Sequence, residues 1–145
     1  MATSTDSKSF QLDIVSPDRK VFSGEAEFCV FPGAEGELGI LPRHAPLLSQ
    51  LVAGEMKVVS KGAAVYYAVS GGFLEVKENK VTAAVEICEA AADIDQAKAQ
   101  TDEKTAQAEV ASKTDKAELL IAKQTLQFAK ARLKVAARAP DQSKH

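Results

Sequence analysis

Helix breakers are missing from the second half of this chain. All eight glycines lie between Gly24 and Gly72, four of the five prolines lie at or before Pro46, and the fifth is Pro140, so residues 73–139 contain neither. Nothing in that stretch forces a helix to stop or kink. Cysteine is almost absent. Cys29 and Cys88 stand far apart, each in an apolar, strand-like run, which points to buried free thiols rather than a disulfide, and no C-x-x-C spacing offers a metal site. Net charge is only −2, with both signs mixed throughout. Such a balance gives no footprint for nucleic acid or for an anionic membrane surface. No apolar run approaches the roughly 20 residues that span a bilayer. The N-terminal MATSTDSKS lacks the apolar core of a signal peptide, so a cytosolic protein without direct membrane insertion is expected.

Catalytic patterns are lacking as well. Ser70 sits in AVSGG, but the nucleophile elbow G-x-S-x-G fails because Ala68 stands where glycine is needed. His44 and His145 are the only histidines, and no motif supplies His44 with a nucleophile or a carboxylate. Gly33, Gly36 and Gly39 have the wrong spacing for a phosphate or dinucleotide loop. The expectation is a protein with no catalytic residue, no metal and no obligatory cofactor, in which His44 is held within its own turn or at an interface.

What is present divides into two grammars. Up to about Glu89 the sequence alternates as strands do: Phe10, Leu12 and Ile14 in the first run, then EFCVF, AAVYYAVS and KVTAAVEIC. Turn signals separate these runs at Pro17-Asp18, Ser60-Lys61-Gly62, Gly71-Gly72 and Glu78-Asn79. Many short strands at this spacing read as an antiparallel β-sandwich or flattened barrel over residues 1–89. Residues 90–145 read as helical, with an Asp93–Gln96 capping box opening a helix near 94–111 and Asp115 with Glu118 opening another near 115–138. The junction between them, Ser112-Lys113-Thr114, is a weak stop. The fold class is therefore α+β, a sandwich followed by a two-helix hairpin.

The helices carry seven-residue rows. Asp95, Asp102 and Glu109 form one, and Lys116, Lys123 and Lys130 another; reflected between Ser112 and Lys113, the acids fall on the lysines. An antiparallel hairpin would set these as three pairs along one seam, beside a less polar stripe of Ile94, Thr101 and Ala108 facing Leu119, Leu126 and Leu133. Exposed pairs of this kind contribute about 0.2–1 kcal/mol each, so the clasp is light, and two solvated helix faces would give the same pattern. Helix two also carries Ile121, Phe128 and Val135 on the side opposite its leucines. Between Lys116 and Arg138 it has six basic residues, Arg132, Lys134 and Arg138 among them, against Glu118 alone. It reads as a helix that faces a partner. With so weak a junction, the segment is expected also to straighten into one helix, roughly 65–70 Å long at 1.5 Å per residue.

The stretch EGELGILPRHAP, residues 35–46, crowds turn formers around Leu38, Ile40 and Leu41. With V-S-G-G-F-L-E-V at 69–76, L-x-x-G at 51–54 and A-A-D-I-D-x-A-K-A at 91–99, its G-E-L-G-I-L-P-x-H-A-P-L-L at 36–48 resembles the epsilon subunits of bacterial rotary F-type ATP synthases. The resemblance spans nearly the whole chain in order. It implies a non-catalytic rotor component of the proton- or sodium-translocating complex, on the cytoplasmic face of the bacterial inner membrane. Its sandwich would grip the gamma subunit and the polar loops of the c ring. Its helices would dock on the sandwich or extend toward the alpha and beta subunits and inhibit ATP hydrolysis.

On this resemblance Glu37 faces the c-ring loop and His44 lies near gamma, with Leu38, Gly39, Ile40 and Arg43 in the same contact stretch. Leu38, Ile40 and Leu41 serve either as anchors into the sandwich or as partner contacts. Arg43 replaces the glycine common in the family. Some bacterial members bind ATP in the hairpin through an I/L-D-x-x-R-A motif, which reads here Ile94-Asp95-Gln96-Ala97-Lys98-Ala99. Lysine gives a point charge without the arginine fork. Arg132 offers a second-helix cation, and Phe128 occupies a position where ATP-binding members carry arginine. The expectation is weak regulatory ATP binding or none; the alternative is a sensor module built on this hairpin.

Overall fold

The computed structural model describes residues 8–139. Pro140, His145 and the first residues of the MATSTDSKS segment lie outside them. Eight strands come first: β1 Phe10–Ser16, β2 Arg19–Ala26, β3 Phe28–Gly33, β4 Gly36–Ile40, β5 Leu47–Ser60, β6 Ala63–Lys77, β7 Lys80–Val85 and β8 Cys88–Ala90. A 3-10 turn at Ala91–Asp93 leads to helices α1, Gln96–Ser112, and α2, Lys116–Ala136. Strand β8 crosses the expected 89/90 junction and ends one residue beyond it.

The strands pair in the order β2-β1-β7-β6-β5-β3-β4, with β8 also on β6. They form a flattened sandwich rather than a closed barrel. All pairings are antiparallel except one: β1 and β7 run parallel, Gln11 beside Lys80 through Val15 beside Ala84. This one pair departs from the antiparallel pattern because no hairpin joins these strands. After the β6–β7 hairpin the chain simply lies down along β1 in the same direction.

Two expected turns are tight hairpins with left-handed backbone at both central residues. Lys61 and Gly62 have φ of 54° and 77°, and Glu78 and Asn79 have 53° and 62°. Gly71-Gly72, read from the sequence as a turn, instead lies inside β6. It marks a switch of face. Tyr67 and Val69 point into the main core before it, and Leu74 and Val76 after it, so the inward parity changes across the glycines. Gly72 has φ +155°, and a Cβ there would run into the carbonyl of Ala84. The sandwich core comprises Phe10, Leu12, Ile14, Phe31, Ile40, Met56, Leu74 and their neighbours, with both cysteines buried among them. Burial pushes each thiol up to about 12, which keeps them protonated and inert.

On the outward face of β5 and β6 the register sets Glu55 opposite Ala68 and Lys57 opposite Tyr66. Ala53 and Ala68 are small enough to admit a helix, and α2 lies there. Ala68, Ile94, Ala99 and Val135 form a second buried cluster, flanked by Tyr66, Phe128 and Leu133. Helix α1 packs chiefly on α2. Both helices have aspartate caps: Asp95 accepts from the Lys98 N–H and Asp115 from the Glu118 N–H, each at 3.1 Å. The expected Asp93 cap is displaced because Asp93 belongs to the preceding 3-10 turn. Asp115 caps as expected.

Candidate functional surfaces

The first surface is the sandwich edge around residues 36–48. Gly36–Ile40, read from the sequence as part of a loop, is strand β4, paired residue for residue with β3. Its alternation sorts the side chains. Leu38 packs against the core and Ile40 is fully buried, whereas Glu37 and Gly39 face solvent and Leu41, just beyond the strand, is exposed. Leu38 and Ile40 are therefore anchors, and Leu41 is free for contact. Gly36 takes φ +128° at the β3–β4 turn.

The true loop is residues 41–46. The His44 N–H donates to the Leu41 carbonyl at 3.2 Å, and its Nδ1 lies 2.7 Å from the Ala45 carbonyl, so this histidine is held within its own turn. Arg43 sits at φ +65°, the left-handed region that a glycine would enter without penalty. Its N–H donates to Asn79 Oδ1 at 2.7 Å, while Asn79 Nδ2 donates to the Ser9 carbonyl at 3.1 Å. Asn79 thus ties the loop to the start of β1. Beside the loop, Leu48 on β5 and Phe73 on β6 project into solvent, with Leu48 75% exposed. Neither was singled out from the sequence; each stands at an outward position of an alternating strand, a signal available but not used.

The second surface is where the hairpin meets the sandwich. Between the two helices the seam is made of alanine: Ala99 and Ala106 on α1, Ala122 and Ala129 on α2, all buried. The expected stripe holds only at its end, where Ile94 is buried in a cluster that Leu133 packs against; Thr101 and Ala108 are exposed and Leu119 and Leu126 only half-buried. The hairpin turns at Lys113–Asp115, about Thr114, rather than between Ser112 and Lys113. That shift moves each facing position by three residues and carries the lysine row away from the acids. None of the three expected pairs forms among the described residues. Lys116, Lys123 and Lys130 are exposed, and Asp95 is used as a cap.

The cation that meets Asp102 is instead Arg132. Its Nη1 donates to Asp102 Oδ2 at 2.9 Å and its Nε to Glu89 Oε1 at 2.7 Å, so one guanidinium joins α1, α2 and β8. Only 12% of the Arg132 side chain is exposed. Lys98 Nζ also reaches Asp102 Oδ2, at 3.2 Å. The hydrogen bond from Lys98 lowers the Asp102 pKa below its ordinary value against partial desolvation, and Arg132 adds to the lowering. A second carboxylate, Glu55, holds the end of α2. Arg138 donates to it through Nε at 2.8 Å and Nη2 at 3.2 Å, and Lys134 Nζ lies 3.5 Å away. The Arg138 guanidinium also stacks over the Tyr66 ring, 4.8 Å from its centre. Gln127 Nε2 donates to the Ala53 carbonyl at 2.8 Å.

The residues assigned to a partner-facing side of α2 thus mostly face the molecule itself. Val135 is fully buried, Phe128 is half-buried, and Arg132, Lys134 and Arg138 are ion-paired to carboxylates of the chain. Of the apolar residues assigned there Ile121 alone stays outward, 62% exposed, with Leu120 beside it, while Lys134 and Arg138 pair from half-exposed positions. Contacts with the sheet come from the second half of α2, and its first half overhangs. Beneath the overhang is a groove of about 800 Å³ between Leu120, Lys123 and Gln127 on the helix and Val52, Phe73 and Ala84 on the sheet.

The nucleotide candidates are spent similarly. Ile94 and Ala99 are buried together, Asp95 caps α1, and Lys98 and Arg132 converge on Asp102. Glu55 and Glu89, which sequence reasoning missed, carry the docking. Their trace in the sequence is a carboxylate on the outward face of a strand, beside alanine.

Comparison with known proteins agrees with this architecture. Residues 9–91 match the family described as the ATP synthase delta/epsilon chain, β-sandwich domain. The ATP synthase epsilon chain of Desulforamulus reducens is 41% identical over 129 residues, covering 89% of this chain and 98% of that one. That of Pelotomaculum thermopropionicum is 44% identical over 107 residues, covering 74% and 80%. Among solved structures, a chain of the Euglena gracilis mitochondrial ATP synthase, solved as OSCP/F1/c-ring, superposes with a TM-score of 0.78. It shares 22% identity over 90% of this chain and 82% of its own, a likeness of fold.

Proposed function

The chain belongs to the ATP synthase delta/epsilon chain family, and on that premise we propose that it couples the c ring to the catalytic head in the central stalk and restrains ATP hydrolysis through its helices. Like the epsilon chains it matches, it is a non-catalytic subunit of the ATP synthase. Among the described residues no helix is long and apolar enough to cross a membrane. The chain acts as a peripheral component on the cytoplasmic face of a bacterial inner membrane.

One observation carries the restraint: the hairpin is held to the sandwich through half of one helix, by a small apolar cluster around Ala68, Ile94 and Val135 and by ion pairs. The apolar cluster on the sheet is small, the seam between the two helices is made of alanine, and part-exposed ion pairs contribute modestly, so the docked form is separated from an extended one by a small free energy. In the extended form Val135, Phe128 and the α2 cations become available to the alpha and beta subunits. The lysine row Lys116, Lys123 and Lys130 is already available while the helices are docked. On the other surface, Glu37, Leu41, Arg43 and His44 with Leu48 and Phe73 provide a mixed charged and apolar face for the c-ring loops and gamma.

The reading of the hairpin as an ATP sensor is disfavoured because carboxylates already occupy Arg132 and Lys98. Binding of the full chain to a gamma–c-ring subcomplex tests the rotor assignment. Glu37→Lys with Leu41→Ser should weaken it at least tenfold; unchanged affinity would move the interface elsewhere.

A further inference from the structure

We infer that Glu55 is the catch that keeps the helices docked, a carboxylate latch released by competition for its two cations. This rests on the reading of the hairpin as a mobile element. Extension requires α2 to leave first: α1 is tethered at one end to β8 through residues 91–95 and at the other to α2, so it cannot swing out while α2 stays in place. The fate of α2 is decided at its far end. Lys134 and Arg138 both close on Glu55, whose side chain is only 11% exposed on the face of β5.

Three features make this contact a catch rather than surface decoration. Glu55 takes the Arg138 fork through both oxygens, the geometry that gives such pairs their directionality. Tyr66, on the neighbouring strand, forms the floor on which that guanidinium stacks. Arg138 also lies two residues past the last turn of α2, so releasing it frees the end from which the helix can peel toward Arg132. The cations are half-exposed and within reach of salt, whereas the carboxylate is sheltered by the sheet. An acidic surface that offers Arg138 and Lys134 a replacement for Glu55 would therefore open the latch without acting on the apolar cluster under Val135.

Hydrogen exchange of the full chain tests this, with wild type and Glu55→Gln each measured at 50 mM and 500 mM salt. The inference expects α2 amides in residues 127–136 to lose about three- to tenfold of their protection in E55Q at low salt, while sandwich amides keep theirs. It also expects wild-type α2 to loosen with salt and E55Q to respond much less. Equal α2 protection in both proteins, or an equal salt response, overturns it. Should E55Q loosen the sandwich as well, the double substitution Lys134→Gln and Arg138→Gln removes the same contact from the helix side. A fall confined to the helices then supports the latch, and no fall overturns it. Loosened helices with unaltered inhibition of ATP hydrolysis would contradict the proposed brake and leave the latch standing.

Discussion

Arg132 Nη1 and Asp102 Oδ2 lie 2.9 Å apart across the helical hairpin, and the same guanidinium reaches Glu89 on β8. A single side chain thereby joins the two helices to the last strand of the sandwich. Replacing Arg132 with alanine leaves two part-buried carboxylates without their shared cation. Protection of α1 and α2 amides against exchange should fall roughly tenfold. Lysine should restore only part of it, because a point charge does not bridge two carboxylates as the planar fork does. Full protection in the alanine variant would show that the alanine seam alone holds the hairpin.

Acid should loosen the hairpin through Asp102. Its pKa is lowered in the folded protein, first by the hydrogen bond from Lys98. A depressed carboxylate stabilises the fold fully above its unfolded value and loses that contribution as pH falls through the folded one. The window therefore lies below the ordinary 3.8. Following α1 helicity from pH 5 downward should show a transition in the wild type that Asp102→Asn weakens; identical profiles would assign the acid response to other groups.

The charge rows show what the sequence yields and what it withholds. Strands, helices and their order are legible because period-2 and period-3.6 patterns are local properties, and so is the Asp115 cap. The partner of Asp102 is not local. It depends on where the hairpin turns: centring the turn on Thr114 rather than between Ser112 and Lys113 takes Lys123 away from Asp102, and Arg132, further along α2, reaches that carboxylate through its long side chain. The parallel β1–β7 pairing and the face switch at Gly71-Gly72 are likewise products of tertiary assembly. At the 36–48 edge, alternation within β4 settles which of Leu38, Ile40 and Leu41 are anchors once that segment is recognised as a strand.

Arg43 carries a backbone cost that glycine would relieve. It holds φ +65° with its N–H on Asn79 Oδ1, and a glycine could keep both. Arg43→Gly should raise the stability of the chain by about 0.5–1 kcal/mol, the left-handed penalty less the added freedom of the unfolded state. Urea denaturation measures this, and a loss of stability would mean that the arginine side chain holds the loop in place.

The central claim is that the helices brake hydrolysis while the sandwich attaches the subunit. ATP hydrolysis by an epsilon-free catalytic head, titrated with the full chain and with a chain ending after Ala92, tests it most directly. The account predicts inhibition by the full chain and little or none by the shortened one, with both bound to the head. Equal inhibition by the two would place the brake in the sandwich and contradict the role given to α1 and α2.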